Sequence, residues 1–520
     1  MSAIAANDRN GSPDEGLPKE VWITAGVVIL GVIMSILDTT IVNVALETLA
    51  RDLKSPLSTI QWVATGYLLA LATVIPLTGW MSERYGAKRI WMVSVAMFGL
   101  GSALCGLAWS AGSLIFFRVL QGFGGGMIMP VGMSVLTQTA GPDKVGRVMS
   151  VIGVPMLLGP VLGPVIGGLI VSNISWRWIF YVNIPIVVVA LILAARLLQA
   201  SSGRAEDRGG ALDWRGLLLL SPGLGAMVFG LSELETQGGI SHLEVYGPII
   251  AGLILVALFV PHALHAPRPL LDMRLFRKAG FSAAAATTFL VGAALFGAMI
   301  IIPLYYQVAR GESALDAGLL MAPQGIGAAL VMPLAGRLTD RVGGGRVAVV
   351  GIIVATIGTL PFIWVGPDTS YALLAGTLVV RGFGLAGTMM PAMAAAYAVL
   401  GRPEVPRATS ALNVLQRVGG SMGTAVLAVV LQHEFATRLP GAGGGGAVQT
   451  VPASVRQKVA GPLADAFGAT FAWAVVMTIV ALAPAIVLVI ATRRAERRAR
   501  EGRADADQPE SAHDQVGAPV

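Results

Sequence analysis

Two charged residues sit where charge is expensive. Asp38 is the one acidic residue deep inside an apolar run, and Arg118 lies inside another. An aspartate at the centre of a bilayer costs on the order of 3 kcal/mol by insertion scales, so such a residue is a functional candidate by default. Removal from water favours the neutral acid, whereas a neighbouring cation favours the anion, so a carboxyl group in this setting can take up and release a proton as its surroundings change. Arg118 is the expected neighbour. At 1.5 Å per residue, Asp38 stands about 22 Å from one membrane face, and Arg118, about five residues below the opposite edge of its run, stands about 22 Å from that same face of a core of about 30 Å. Asp38 and Arg118 are therefore the candidates for proton coupling.

Other polar side chains inside apolar runs are candidates to line a cavity or meet a substrate. These are Asn43, Tyr67 and Gln121, then Arg381, Asn413, Gln416 and Arg417. Tyr305, Tyr306 and Gln307 fall at the end of a run, where an aromatic belt at the membrane interface is expected. Several chemistries are disfavoured. The single cysteine, Cys105, lies between Leu104 and Gly106 with no activating partner, and it has no second thiol to pair with. The five histidines lie in loops or in the tail, and only His262 and His265 are close together, so neither a metal site nor a catalytic cluster is expected. No Gly-Lys-Ser/Thr sequence provides a phosphate cradle. Gly122-Phe123-Gly124 sits within an apolar run and follows no strand, so no dinucleotide loop is expected. The chain is not expected to be an enzyme or to carry a cofactor.

Positioning these side chains requires elements suited to a non-aqueous solvent. Of the 520 residues 55% are hydrophobic and 12% charged, with a mean hydropathy of +0.74. Soluble domains carry about 25% charge. Apolar runs long enough to cross a hydrocarbon core of about 30 Å recur throughout, and each must be helical in lipid. The expected spans are 21–46, 58–80, 90–109, 113–138, 147–172, 178–198, 214–232, 246–265, 281–308, 316–336, 347–365, 371–400, 408–432 and 468–491. The polar start lacks the features of a signal peptide, so the first span is a retained anchor.

The basic residues test this count. Of the 36 Lys and Arg, 26 fall on the side of the termini, 7 on the other side and 3 within spans. The positive-inside rule then places both termini in the cytoplasm and the chain in the cytoplasmic (inner) membrane, as a multi-pass protein. The pI near 9.7 reflects loops facing anionic lipid, not nucleic acid. Residues 433–467 read as a mobile outer loop containing Gly443–Gly446. The cationic stretch Arg493–Arg503 reads as a lipid-facing topology signal, with disorder from 504 to 520.

A repeat organises the spans. Gly79-Trp-Met-Ser-Glu83-Arg84-Tyr-Gly86 reappears as Gly336-Arg-Leu-Thr-Asp340-Arg341-Val-Gly343, 257 residues later. Gly122-Phe123-Gly124 reappears as Gly382-Phe383-Gly384, 260 residues later. Both pairs fit six spans, a two-span insert and six more. The expected domains are a tail (1–20), a six-helix bundle (21–199), an insert (200–270), a second six-helix bundle (271–492) and a final tail (493–520). Related halves of this kind place a substrate site at their interface. Glu83, Arg84, Lys88 and Arg89, with Asp340, Arg341 and Arg346, are expected to latch the halves together on the cytoplasmic face.

The chain resembles the major facilitator superfamily, specifically its fourteen-span drug:proton antiporter group, the EmrB/QacA-like multidrug exporters. The Gly79–Arg89 stretch is similar to the superfamily's loop after span two, with Glu83 where aspartate is usual. Arg118-Val-Leu-Gln121-Gly122-Phe-Gly124 resembles the span-four signature. Gly153, Pro155, Gly159, Pro160, Gly163, Pro164, Gly167 and Gly168 resemble the antiporter signature of span five. Leu37–Leu46, followed here by Glu47 where proline is usual, and Trp176–Pro185 resemble hallmarks of the fourteen-span group. The resemblance covers residues 20–492. It implies an all-α membrane protein of the major facilitator fold, with two extra helices between two six-helix bundles. It further implies proton-coupled export of small amphipathic or cationic compounds, the alternative being export of one endogenous metabolite, antibiotic or lipid. The implied partners are a small molecule, protons, membrane lipid and possible periplasmic adaptors.

Overall fold

The computed structural model describes residues 18–140, 145–198, 211–237, 242–401, 404–438 and 453–506. Helices dominate, and no strand occurs among the described residues. Span one is Lys19–Asp52, and span two is Leu57–Val74 continued by Leu77–Tyr85. Spans three to five are Ala87–Gly106, Ala111–Ala140 and Val145–Asn173. Spans six to eight are Trp178–Leu197, Trp214–Gln237 and Leu243–His265. Spans nine to eleven are Ala279–Ala309, Ala314–Leu320 continued by Ala322–Val342, and Gly344–Trp364. Span twelve is Tyr371–Ala398, span thirteen Val405–Arg438, and span fourteen Ala453–Val480 continued by Leu482–Ala506. Among the described residues twelve helices are long and apolar enough to cross a membrane, or thirteen with the bent second span taken as one. The 29-residue helix Val145–Asn173 takes the remaining expected position.

Several spans run further than their apolar cores. Helix continues to Arg438 and resumes at Ala453, so part of the expected 433–467 loop is helical, while Gly443–Gly446 lie outside the described residues. The last helix carries its arginines on to Ala506, past the expected start of disorder. Hydropathy marks where lipid ends, but backbone hydrogen bonding carries a helix on into water.

The repeat has a visible cause. Span two bends by 56° at Pro76 and ends on Gly86 (φ 86°); span ten ends on Gly343 (φ 91°). Each glycine turns the chain straight into the next helix with a left-handed φ that a side chain disfavours. The insert is wedged between the halves. Ser221 Oγ of span seven donates to the Thr73 carbonyl of span two at 2.7 Å, and Phe229 stacks on Trp62 at 5.5 Å. Toward the other half, Leu234 and Val245 pack with Ala425 of span thirteen. His262 is held by Asp213, 2.7 Å from Nε2, at the start of span seven.

Candidate functional site

Along span one, Ser35, Asp38, Val42, Ala45 and Leu49 recur at helical spacing, and all are buried. This stripe turns Asp38 into the first half. Asp38 and Arg118 are each 1% exposed and form an ion pair at 2.5 Å. The Arg118 Nη1 also donates to Gln121 Oε1 at 2.8 Å, and its Nε donates to the Val63 carbonyl at 3.0 Å. The guanidinium lies over the Tyr67 ring at 4.1 Å and faces Phe180 at 5.7 Å. On the carboxylate, Oδ1 accepts from Gln121 Nε2 at 2.9 Å and from Asn183 Nδ2 at 3.2 Å. Ser102 Oγ ties Gln121 and Asn183 together at 2.7 and 3.2 Å, and the Cys105 thiol donates to Gln121. Spans one, two, three, four and six thus close on a single neutralised pair. Removing either charge from a pair enclosed in this way would leave the other buried without a counter-charge.

Sequence reasoning placed Asp38 and Arg118 together by depth and named Gln121 and Tyr67 only as cavity candidates; the structure brings all four together. Asn43 is separate: it is exposed, five residues along the helix and on another face. Asn183 and Ser102 were missed as site residues. Asn183 was visible inside the Trp176–Pro185 stretch, but nothing local says that it reaches Asp38.

A second set of contacts joins the halves at the face carrying the described termini. Glu83 Oε2 pairs with Arg407 Nη2 at 2.8 Å, and Asp340 Oδ2 pairs with Arg147 Nε at 3.1 Å. Glu83 and Asp340 are repeat mates, and so are Arg147 and Arg407, 260 residues apart. Each half therefore offers one acid and one base to the other. Thr78 Oγ1 and Ser410 Oγ share a hydrogen bond at 2.6 Å, beside Gly79, which lies against the Pro406–Arg407 backbone. The expected latch exists, but with other basic partners. Lys88 instead caps span six through the Ala195 and Leu198 carbonyls, and Arg346 donates to Val342 within its own half. Gly336 is buried near that end of span ten. The two acids find their cross-half partners on helices distant in sequence, at Arg407 and Arg147.

A Thr78→Cys/Ser410→Cys protein should oxidise to a disulfide, since the present oxygen separation already brings two sulfurs within bonding range. Loss of both new thiols to maleimide labelling is the readout. Buried Cys105 provides little background, and persistent labelling would show that the two helices do not meet.

Span five seals the first half against the second. Its glycines 159, 163 and 167 lie on Ile36, Thr40 and Ile41 of span one, and Gly153 lies on Met332 and Met390 of the other half. Gly168 faces open space. The side chains of Pro155, Pro160 and Pro164 lie outside the described residues. In the second half Arg381 is 3% exposed and donates to Gln324 Oε1, while Asn413 and Gln416 are buried on span thirteen, the helix that carries half-buried Arg417. Tyr305 and Tyr306 form no exposed belt: both are fully buried, with Tyr305 against Phe467 and Phe471 and Tyr306 near Tyr371. Span fourteen covers the pair, its Phe467 and Phe471 packing on Tyr305.

The sequence profile of the Major Facilitator Superfamily matches residues 28–424. The Multidrug resistance protein B homolog of Mycobacterium tuberculosis (strain ATCC 25618 / H37Rv) is 42% identical over 416 residues, covering 79% of this chain and 76% of that protein. Multidrug export protein EmrB of Escherichia coli (strain K12) is 30% identical over 401 residues, covering 76% and 77%. In three dimensions the chain is similar to the crystal structure of the human organic anion transporter MFSD10 (TETRAN), with a TM-score of 0.60. That likeness covers 91% of this chain and 100% of the other at 16% identity, so it bears on the fold alone.

Proposed function

The chain belongs to the Major Facilitator Superfamily, and from that premise we propose that it is a multidrug exporter that trades protons for small amphipathic compounds through the Asp38–Arg118 pair. The observation that carries the coupling is the enclosed carboxylate, 1% exposed and bonded to three side chains that come from two other spans. Two protonation states follow. With Arg118 against it, Asp38 is an anion; when the helices shift and the guanidinium withdraws, desolvation favours the neutral acid.

Both termini face the cytoplasm in this reading, and the Glu83–Arg407 and Asp340–Arg147 pairs close that side. The present arrangement is then the outward-facing one, and breaking the two pairs admits substrate from inside. The membrane is the cytoplasmic one, and the proton gradient is the sole energy source, without a cofactor. The chain works as a carrier and catalyses no covalent step. Its small-molecule cargo reaches the seam between the halves.

Proteoliposomes holding the purified chain and a pH-sensitive dye test this reading. Adding a transported amphiphile should release protons in proportion to uptake, and collapsing the gradient should stop transport. ATP should have no effect. Substrate movement that survives collapse of the gradient at an unchanged rate would sink the antiport reading.

A further inference from the structure

Charge is unevenly divided between the halves. Asp38 is the only fully buried acid among the described residues, and Arg118, Gln121 and Asn183 occupy it. It has little to offer a cationic ligand. In the second half the repeat sets Arg381 where the first half has Gln121: Gly101 abuts the Gln121 backbone, and Gly358 abuts that of Arg381. The position of Asp38 itself is filled by Val291. Span-five glycines 159 and 163 lie on Ile36 and Thr40, and span-thirteen glycines 419 and 423 lie on Phe289 and Ala293. The residue midway is Asp38 in one half and Val291 in the other.

The second half thus keeps its cations without the acid. Among the described residues Arg381 has only the neutral Gln324 amide as a hydrogen-bond partner. Arg417 has less. It makes no hydrogen bond and no ion pair among the described residues, although it is half-buried on span thirteen. Its helix, span thirteen, packs against spans two and four of the first half, which sets Arg417 on an element of the seam. A guanidinium partly removed from water without a counter-charge is costly to hold, and it carries five N–H donors in a planar fork suited to a carboxylate.

We propose that Arg417 is the recognition point for an anionic group on the transported compound, so that amphipathic acids are a preferred cargo class. Arg381, on span twelve of the same half, adds to the positive field. This rests on the reading of the chain as an exporter, and it names the charge of the cargo.

The test is equilibrium binding of radiolabelled 2-naphthoate to the purified full chain, with 2-naphthamide and trimethyl(2-naphthyl)ammonium as competitors. The three share one ring and differ in charge. The wild type should favour naphthoate by about tenfold over both competitors, the yield of one charge-assisted contact. Arg417→Gln should erase that preference while leaving naphthamide binding within about twofold. Arg417→Lys, which keeps the charge and guards against misfolding, should retain part of it, and Arg381→Gln should weaken it less. The proposal is overturned if the ammonium compound competes as well as naphthoate, if Arg417→Gln keeps the preference, or if the wild type binds no naphthoate. Binding is read without a proton gradient, so failed coupling in vesicles would count against the exporter reading alone.

Discussion

Asp38→Asn should reduce substrate-driven proton release by about a hundredfold or more, to the level of empty vesicles, because the amide cannot carry the proton. Asparagine is close to aspartate in shape and can still accept from Arg118, so the helices need not move apart. What it cannot do is neutralise the guanidinium. Arg118 would remain fully buried with its only charged partner gone, and breaking a buried pair from one side costs about 3–5 kcal/mol. The single variant should therefore be thermally weakened as well as inactive, and instability alone could explain its inactivity. Asp38→Asn/Arg118→Gln separates the two effects. Removing both charges should recover most of the lost thermal stability and none of the proton coupling. Thermal unfolding in detergent and proton release in vesicles, measured on all three proteins, give the comparison. A double variant that regained coupled transport would remove Asp38 from the mechanism.

The pair was legible because depth in a membrane is a one-dimensional quantity. Counting residues from the span ends sets Asp38 and Arg118 at one level, and a charge in hydrocarbon needs a partner at its own level. The repeat was legible for a similar reason: glycine turns such as Gly86 and Gly343 have few substitutes, so they persist at matching positions. What sequence could not supply was azimuth. Depth does not tell which face of span six looks inward, so Asn183 went unassigned although its motif was in view. The basic partners of the latch were hidden in the same way. Glu83 and Asp340 were read with the bases beside them, yet Arg407 and Arg147 reach them across the seam from helices hundreds of residues away. Only the packing of halves against each other decides that choice. Tyr305 and Tyr306 show the limit of hydropathy itself. They stand near the end of an apolar run, but hydropathy does not tell that Phe467 of span fourteen packs over that end.

Gly163→Leu should lower export by about tenfold or more per folded molecule, whereas Gly168→Leu, five residues along the same helix, should stay within about twofold. The two positions differ in what a side chain would meet. At Gly163 an added Cβ would run into the Thr40 hydroxyl and lie 2.6 Å from Thr40 Cβ, whereas at Gly168 nothing stands within 4 Å. Overpacking of this kind costs about 1–3 kcal/mol when the neighbours yield. Here the neighbour is span one, and Thr40 lies two residues from Asp38. Spans one and five would be forced apart beside the proton site, and the seam that Gly153 makes with Met332 of the other half would tilt with them. The expected signature is a leak: proton flow without substrate rises as coupled export falls. Vesicle proton permeability, measured with and without substrate and normalised to correctly folded protein by gel filtration, provides the readout. If Gly163→Leu merely lowered the yield of folded protein while each surviving molecule exported at the normal rate, the glycine face would be packing alone.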